Sequence, residues 1–149
     1  MIGGPGLFRW LLRRRVVTLG VQGAVVDGEG RFLLVRHGYR PGWHFPGGGV
    51  EIGEPVAAAL RRELVEEVGV ILDGPPKLFA IYSHFVAYPG DHIAVFIVES
   101  WQRPHVPAAS YEIAEQGFFS PADLPPEATD GTRRRIGEIV GARRPDRAW

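Results

Sequence analysis

The stretch from Gly48 to Val70, G-G-V-E-I-G-E-P-V-A-A-A-L-R-R-E-L-V-E-E-V-G-V, constrains this chain more than any other. Pro55 suits the first turn of a helix, where its missing N–H costs little. Gly69 suits the left-handed position just past a helix end. Ala57–Ala59, Leu60 and Leu64 between them are good helix formers, so the spacing predicts a helix over 55–68. At about 100° per residue, Glu63, Glu66 and Glu67 fall within one arc of roughly 100°. Ala57, Leu60, Leu64 and Val68 occupy the neighbouring arc. One side of the helix can therefore enter a core while the adjacent side holds carboxylates at its edge.

Carboxylates that close repel one another and raise each other's pKa. A divalent cation removes the conflict, and an all-oxygen ligand set suits a hard ion, Mg²⁺ or Mn²⁺. Such ions keep waters and bind substrate phosphates, which suits phosphoryl chemistry. The preceding loop, Phe45-Pro46-Gly47-Gly48-Gly49, lacks side chains where a backbone must approach a ligand, and the Gly47 carbonyl is a further candidate ligand. The plainer alternative is a solvated helix face whose glutamates pair with Arg61 or Arg62.

The pattern Gly48…Glu54…Arg62-Glu63-Leu64-Val65-Glu66-Glu67-Val68-Gly69-Val70 resembles the complete Nudix box, G-x5-E-x7-R-E-U-x-E-E-x-G-U, with U aliphatic. The approach Gly42-Trp43-His44-Phe45-Pro46-Gly47-Gly48 looks like that of MutT-type members. The resemblance implies an α/β fold, an α/β/α sandwich with a mixed β-sheet between helices. It implies Mg²⁺-dependent hydrolysis of a nucleoside diphosphate linked to another moiety. It also implies metal ligation by Glu63, Glu66 and Glu67, with Glu54 and Arg62 supporting the loop and the ligands. The rival reading is a Nudix-like domain that senses nucleotides without cleaving them. The box retains every acidic residue, which favours the enzyme.

A length of 149 residues predicts one domain, 1–149, with core enough to fold unaided. Lys+Arg and Asp+Glu are both 17, so no global basic field for nucleic acid exists. The partner expected is a small-molecule nucleotide, with no stable nucleic-acid partner. No cysteine is present, which excludes disulfides, thiolate metal sites and cysteine nucleophiles. No run is long enough to span a membrane. In segment 1–15 the apolar Leu7–Leu12 precedes the basic Arg13–Arg15, the wrong order for a signal peptide. A cytoplasmic location is expected, with Leu7–Leu12 or sheet edges offering a homodimer contact.

Val16–Val26 and Arg31–Arg36 read as strands around the turn Asp27-Gly28-Glu29-Gly30. Residues 37–47 read as loop. Lys77–Tyr88 and His92–Trp101 read as a hairpin, Gln116–Phe119 as a short strand, and Thr132–Ala142 as a helix with Ile136, Ile139 and Val140 facing inward. Residues 143–149 read as a loose tail.

The expected chemistry is attack of a metal-assisted water on a phosphoanhydride. For the general base, the resemblance points to a loop ahead of Phe118-Phe119 and Asp123-Leu124-Pro125. That makes Glu112 the first candidate, Glu115 the next, with Glu67 also able to serve. Glu51 lies beside the metal loop. Arg36, with Arg40 and Arg61, is a candidate for phosphate contact. Trp43, His44, Tyr82 and His84, with Tyr39 and Phe85, read either as pocket lining able to stack on a base or as core and rim. The family's markers for NADH and ADP-ribose cleavage are absent, and Tyr88 is weak evidence for a dinucleoside polyphosphate.

Overall fold

The computed structural model describes residues 16–141 and 143–149. The expectations for Leu7–Leu12, Arg13–Arg15 and a dimer contact there lie outside these residues. Among the described residues no helix is long and apolar enough to cross a membrane.

The elements run β1 (Thr18–Val25), β2 (Phe32–Arg36), β3 (Trp43–His44), β4 (Gly47–Gly49), α1 (Val56–Val68), β5 (Ile71–Leu72), β6 (Lys77–Ser83), β7 (Asp91–Val98), β8 (Trp101–Gln102), β9 (Glu115–Phe119) and α2 (Asp130–Ile139). One sheet has the order β4-β1-β7-β6 and is mixed, because β1 runs parallel to β7 and antiparallel to β4. A second has the order β3-β2-β9, and β5 pairs with β8.

Four successive residues of β2, Phe32 to Val35, are buried. Successive strand side chains point to opposite faces, so β2 is covered on both. Leu33 and Val35 join Val21 and Val25 of β1 and Ala59, Leu60, Leu64 and Val68 of α1. Phe32 and Leu34 join Ala24, Phe45 and Ile136 of α2. The strands thus lie between α1 and α2, the sandwich that the sequence implies.

Boundaries differ from expectation for local reasons. Pro55 sits just outside α1 in an extended conformation, and the helix begins at Val56. Gly69 ends it with φ 70°, its N–H reaching back to Val65 O. The hairpin strands stop at Ser83 and resume at Asp91, because His84 N–H reaches Asp91 O and tight turns fill the gap. Trp101 leaves the hairpin to pair with Leu72. Thr129 caps α2, its Oγ1 accepting the Thr132 N–H at 3.2 Å, so the helix starts at Asp130. It ends at Ile139, and Val140 faces solvent rather than the core.

The Arg143–Trp149 segment is not loose where it meets the hairpin. Ser83 N–H donates to Arg147 O at 2.9 Å, and Trp149 N–H donates to Ser83 O at 2.9 Å. The Trp149 ring meets Tyr82 edge-on at 5.9 Å. Beneath it lies a buried charge network. Arg135 Nε is 2.9 Å from Glu138 Oε2, and its guanidinium sits 4.1 Å from the Tyr82 ring centre. Tyr82 Oη donates to Glu138 Oε2 at 2.7 Å.

Candidate active site

Helix α1 packs beside the glycine-rich strand β4, and the carboxylates of the box meet the loop there. Glu67 is buried, and its Oε2 accepts the Gly47 N–H at 2.8 Å. Burial pushes its pKa up to about 8, and the charges of Glu63 and Glu112 add to that. The Gly47 N–H and Arg40 act the other way. Gly47 thus contributes its N–H to this contact, where the sequence suggested its carbonyl as a ligand.

Arg62 organises the outer half. It grips Glu54 through both carboxylate oxygens at 2.8 and 2.9 Å, Glu63 Oε1 at 2.6 Å and the Gly49 carbonyl at 3.2 Å. The Arg62 hydrogen bonds, with the Glu51 N–H, hold Glu54 down to about 2. Glu54 and Arg62 therefore form a brace between loop and helix.

A Cβ added at Gly48 would fall within 2.7 Å of both Glu63 carboxylate oxygens, so the bare backbone there is what admits the carboxylate. At Gly47 an added Cβ would fall 2.8 Å from the Gln22 Cα and closer still to the Val21 carbonyl, both main chain of β1. Gly47→Ala must therefore open the β1–β4 pairing. A loss of about 2 kcal/mol or more of stability is expected in a denaturant titration, because strained backbone positions are among the few that cost this much.

Glu63 and Glu67 both reach the Gly47–Gly48 loop. Glu66 differs from the expectation of three gathered carboxylates: its side chain is 60% exposed and lies 3.6 Å from Arg62. Among the described residues no three His, Asp or Glu side chains stand together as a metal cluster. The donor chemistry nevertheless fits a hard divalent cation. Its oxygens are carboxylates against glycine backbone, and the negative charge of Glu63 raises the pKa of Glu67.

A cavity of about 900 Å³ opens beside this loop. Gln22, Arg40, His44, Phe45, His84 and Trp149 line it, with Gly47–Gly49 and Glu51 on the α1 side. His44 Nε2 is 3.0 Å from Pro41 O, and burial with Arg40 nearby lowers its pKa to about 4, so the ring is neutral. His84 Nδ1 is 3.0 Å from Asp91 Oδ2.

Three pocket candidates lie elsewhere. Tyr82 is fully buried and bonded to Glu138, so it is core and not pocket lining. Trp43 packs edge-on against Phe119 at 5.0 Å in the second core cluster. Arg36 is paired with Glu115 at 2.5 Å, because β2 and β9 place the two residues directly opposite. It lines a separate hollow with Pro41, Gly42, Glu127 and Thr129. That pairing also engages Glu115, the second candidate base. Glu112 stands exposed on the loop before β9, near enough for its charge to act on Glu67. Sequence reasoning missed His37, Gln22 and Trp149. A lone Trp in a polar stretch was the available signal for the last, and His37 offered none.

The NUDIX domain family profile matches residues 17–138. Among curated proteins, an uncharacterized Nudix hydrolase of Bacillus subtilis is 33% identical over 91 residues, covering 61% of this chain and 54% of that protein. An RNA pyrophosphohydrolase of Halorhodospira halophila is 48% identical over 46 residues, covering 31% of this chain and 25% of that protein. The match thus spans about half or less of these relatives' length. Among solved structures, a MutT Nudix hydrolase from Burkholderia pseudomallei superposes with a TM-score of 0.72 at 30% identity, covering 84% of this chain and 99% of that one. An ADP-ribose pyrophosphatase from Streptococcus suis shares the fold, with a TM-score of 0.64 at 22% identity over 88% of this chain and 97% of that one. With the box geometry, the sandwich and the profile over most of its length in agreement, the chain belongs to the Nudix family.

Proposed function

We propose that this protein is a pyrophosphohydrolase of cytoplasmic nucleotides. It would cleave a phosphoanhydride bond in a nucleoside triphosphate, nucleotide sugar or dinucleotide, with Mg²⁺ or Mn²⁺ held by Glu63 and Glu67 at the loop and by Glu66 once its side chain turns from Arg62 toward the cation. The observation that carries this reading is the buried Glu67 on the Gly47 N–H, with Glu63 held beside the same loop by the Arg62–Glu54 brace, where Gly47–Gly49 line a cavity large enough for a nucleotide.

When bound, the cation supplies charge neutralisation for the phosphates and lowers the pKa of water. The chain's own groups do the rest. Of the aromatic residues along the cavity, Trp149 is partly exposed and offers ring surface to a base, while Phe45 lies in the core beneath the wall. Glu112, exposed and near Glu67, is the group assigned to take the proton of the attacking water, with Glu67 as the alternative acceptor. Arg62 holds Glu63 and Glu54 in register with the loop so that these positions do not drift.

Nucleotide products are separated by ion-exchange chromatography after incubation with nucleoside triphosphates, nucleotide sugars, dinucleoside polyphosphates, ADP-ribose and 5′-triphosphorylated RNA, each with and without Mg²⁺. A Mg²⁺-dependent product from a small nucleotide supports the reading. Product from the RNA alone overturns the substrate assignment, and nucleotide binding with no product from any of them points to a sensor.

Metal binding is expected to release protons. Below about pH 8 the fold holds Glu67 protonated, and a ligand carboxylate must lose that proton. Affinity for Mn²⁺ should therefore climb with pH up to about 8, with proton release detectable by calorimetry in buffers of different ionisation enthalpy. Binding at pH 6.5 without proton release would show that Glu67 is not a ligand.

A further inference from the structure

We infer that His37 is a positioning residue that joins Arg40 and the Glu112 loop into one unit at the rim of the cavity, with Arg40 the group that meets the substrate's phosphates. The inference rests on the proposed hydrolase site and adds a phosphate contact and its support.

His37 is buried at the end of β2, although it is polar. Its Nδ1 is 2.9 Å from the Glu112 carbonyl, and its Nε2 is 3.0 Å from an Arg40 terminal nitrogen. A carbonyl only accepts and a guanidinium only donates. Nδ1 therefore carries the hydrogen, Nε2 offers its lone pair, and the ring is neutral. Burial and the adjacent Arg40 charge both favour that state.

The surrounding main chain closes the same two segments together. Gly38 N–H donates to Tyr111 O at 3.1 Å, and Ala114 N–H donates to Arg36 O at 2.9 Å. Ser110 Oγ accepts the Ile113 N–H at 3.1 Å and shapes the loop between them. A Cβ at Gly38 would meet the Tyr111 main chain, so the two segments touch. Glu112 thus rides on a loop whose central carbonyl is fixed by His37.

Arg40 lines the cavity and makes no ion pair among the described residues. Arg36, Arg62 and Arg135 each have a carboxylate partner. A neutral imidazole orients the Arg40 guanidinium without cancelling its charge, which leaves it free for an anion. This leaves a fixed cation lining the cavity, near enough to Glu67 for its charge to act there.

The test is a double-mutant cycle on Arg40→Ala and His37→Ala. It is read as calorimetric affinity for α,β-methylene ATP with Mg²⁺ and as kcat/KM on the substrate found in the product screen. His37→Asn is the folding safeguard, since its amide keeps a donor near Glu112 and cannot reach Arg40. Arg40→Ala should weaken affinity and kcat/KM roughly 10- to 100-fold, the range for a hydrogen bond to a charged group. His37→Ala and His37→Asn should each cost nearly as much as Arg40→Ala, mostly in KM, and Arg40→Ala should cost less than about threefold once either is present. Losses that simply multiply would overturn the inference. So would a His37 variant that lowers thermal stability while leaving affinity and KM unchanged. Absence of turnover in the wild type, with the cycle still coupled in affinity, would sink the hydrolase reading and leave the linkage standing.

Discussion

Replacing Glu67 by Gln should lower Mg²⁺-dependent turnover at least about 10³-fold, about 4 kcal/mol of transition-state stabilisation, while the fold survives. The Gln Oε1 can still accept the Gly47 N–H that Glu67 holds at 2.8 Å. What disappears is the negative oxygen available to a cation or a proton. The metal-free protein should behave in the opposite sense. Glu67 keeps its proton in the fold until about pH 8, whereas the unfolded chain loses it near 4.5. Stability of the metal-free wild type therefore falls as pH rises through that window. The variant has nothing to titrate there, so its Tm should exceed that of the wild type at pH 8 and match it at pH 4. Turnover within tenfold of wild type on the identified substrate would remove Glu67 from the mechanism.

Glu138→Ala should be the most damaging substitution away from the cavity's metal side, at roughly 3–5 kcal/mol. It leaves Arg135, fully buried, without its carboxylate. It also strips an acceptor from Tyr82 Oη and from the Asp146 N–H. In a thermal melt this corresponds to a fall of roughly 10 °C. The damage should spread to the cavity, because Arg135 NH1 holds the Ala148 carbonyl at 2.9 Å and its guanidinium lies 5.3 Å from the Trp149 ring, which forms part of the wall. Trp149 fluorescence should shift to the red in the folded variant. A change under 1 kcal/mol with unchanged fluorescence would mean that the pair is not what fixes the segment.

The acidic helix was legible because its information is local. Pro55, Gly69 and the spacing of alanines and leucines bound the helix within a residue, and the two-faced burial of Phe32–Val35 follows from an unbroken apolar run. The strands β3 and β4 were not legible. Glycines and a Trp-His pair carry little strand propensity, and their pairing comes from the free edges of β1 and β2. Residues 143–149 were misread for a similar reason. Their order depends on Ser83, Tyr82 and the Arg135–Glu138 pair, all distant along the chain. Tyr82 and Arg36 show the limit of composition. Each type suits a nucleotide pocket, and each is claimed by a partner, Glu138 or Glu115, that only the folded register brings near. Glu66 is a limit of another sort. Helical spacing puts it on the arc with Glu63 and Glu67, but spacing does not choose its rotamer, and Arg62 draws it outward.

Manganese binding followed by electron paramagnetic resonance tests the central claim most directly. Titrated with the wild-type protein, the free Mn²⁺ signal should diminish and be restored by excess Mg²⁺. Glu63→Gln and Glu67→Gln should each weaken that binding at least about tenfold. A free-ion signal that persists at millimolar wild-type protein, with a nucleotide present, would contradict the assignment of this helix edge as the cation site.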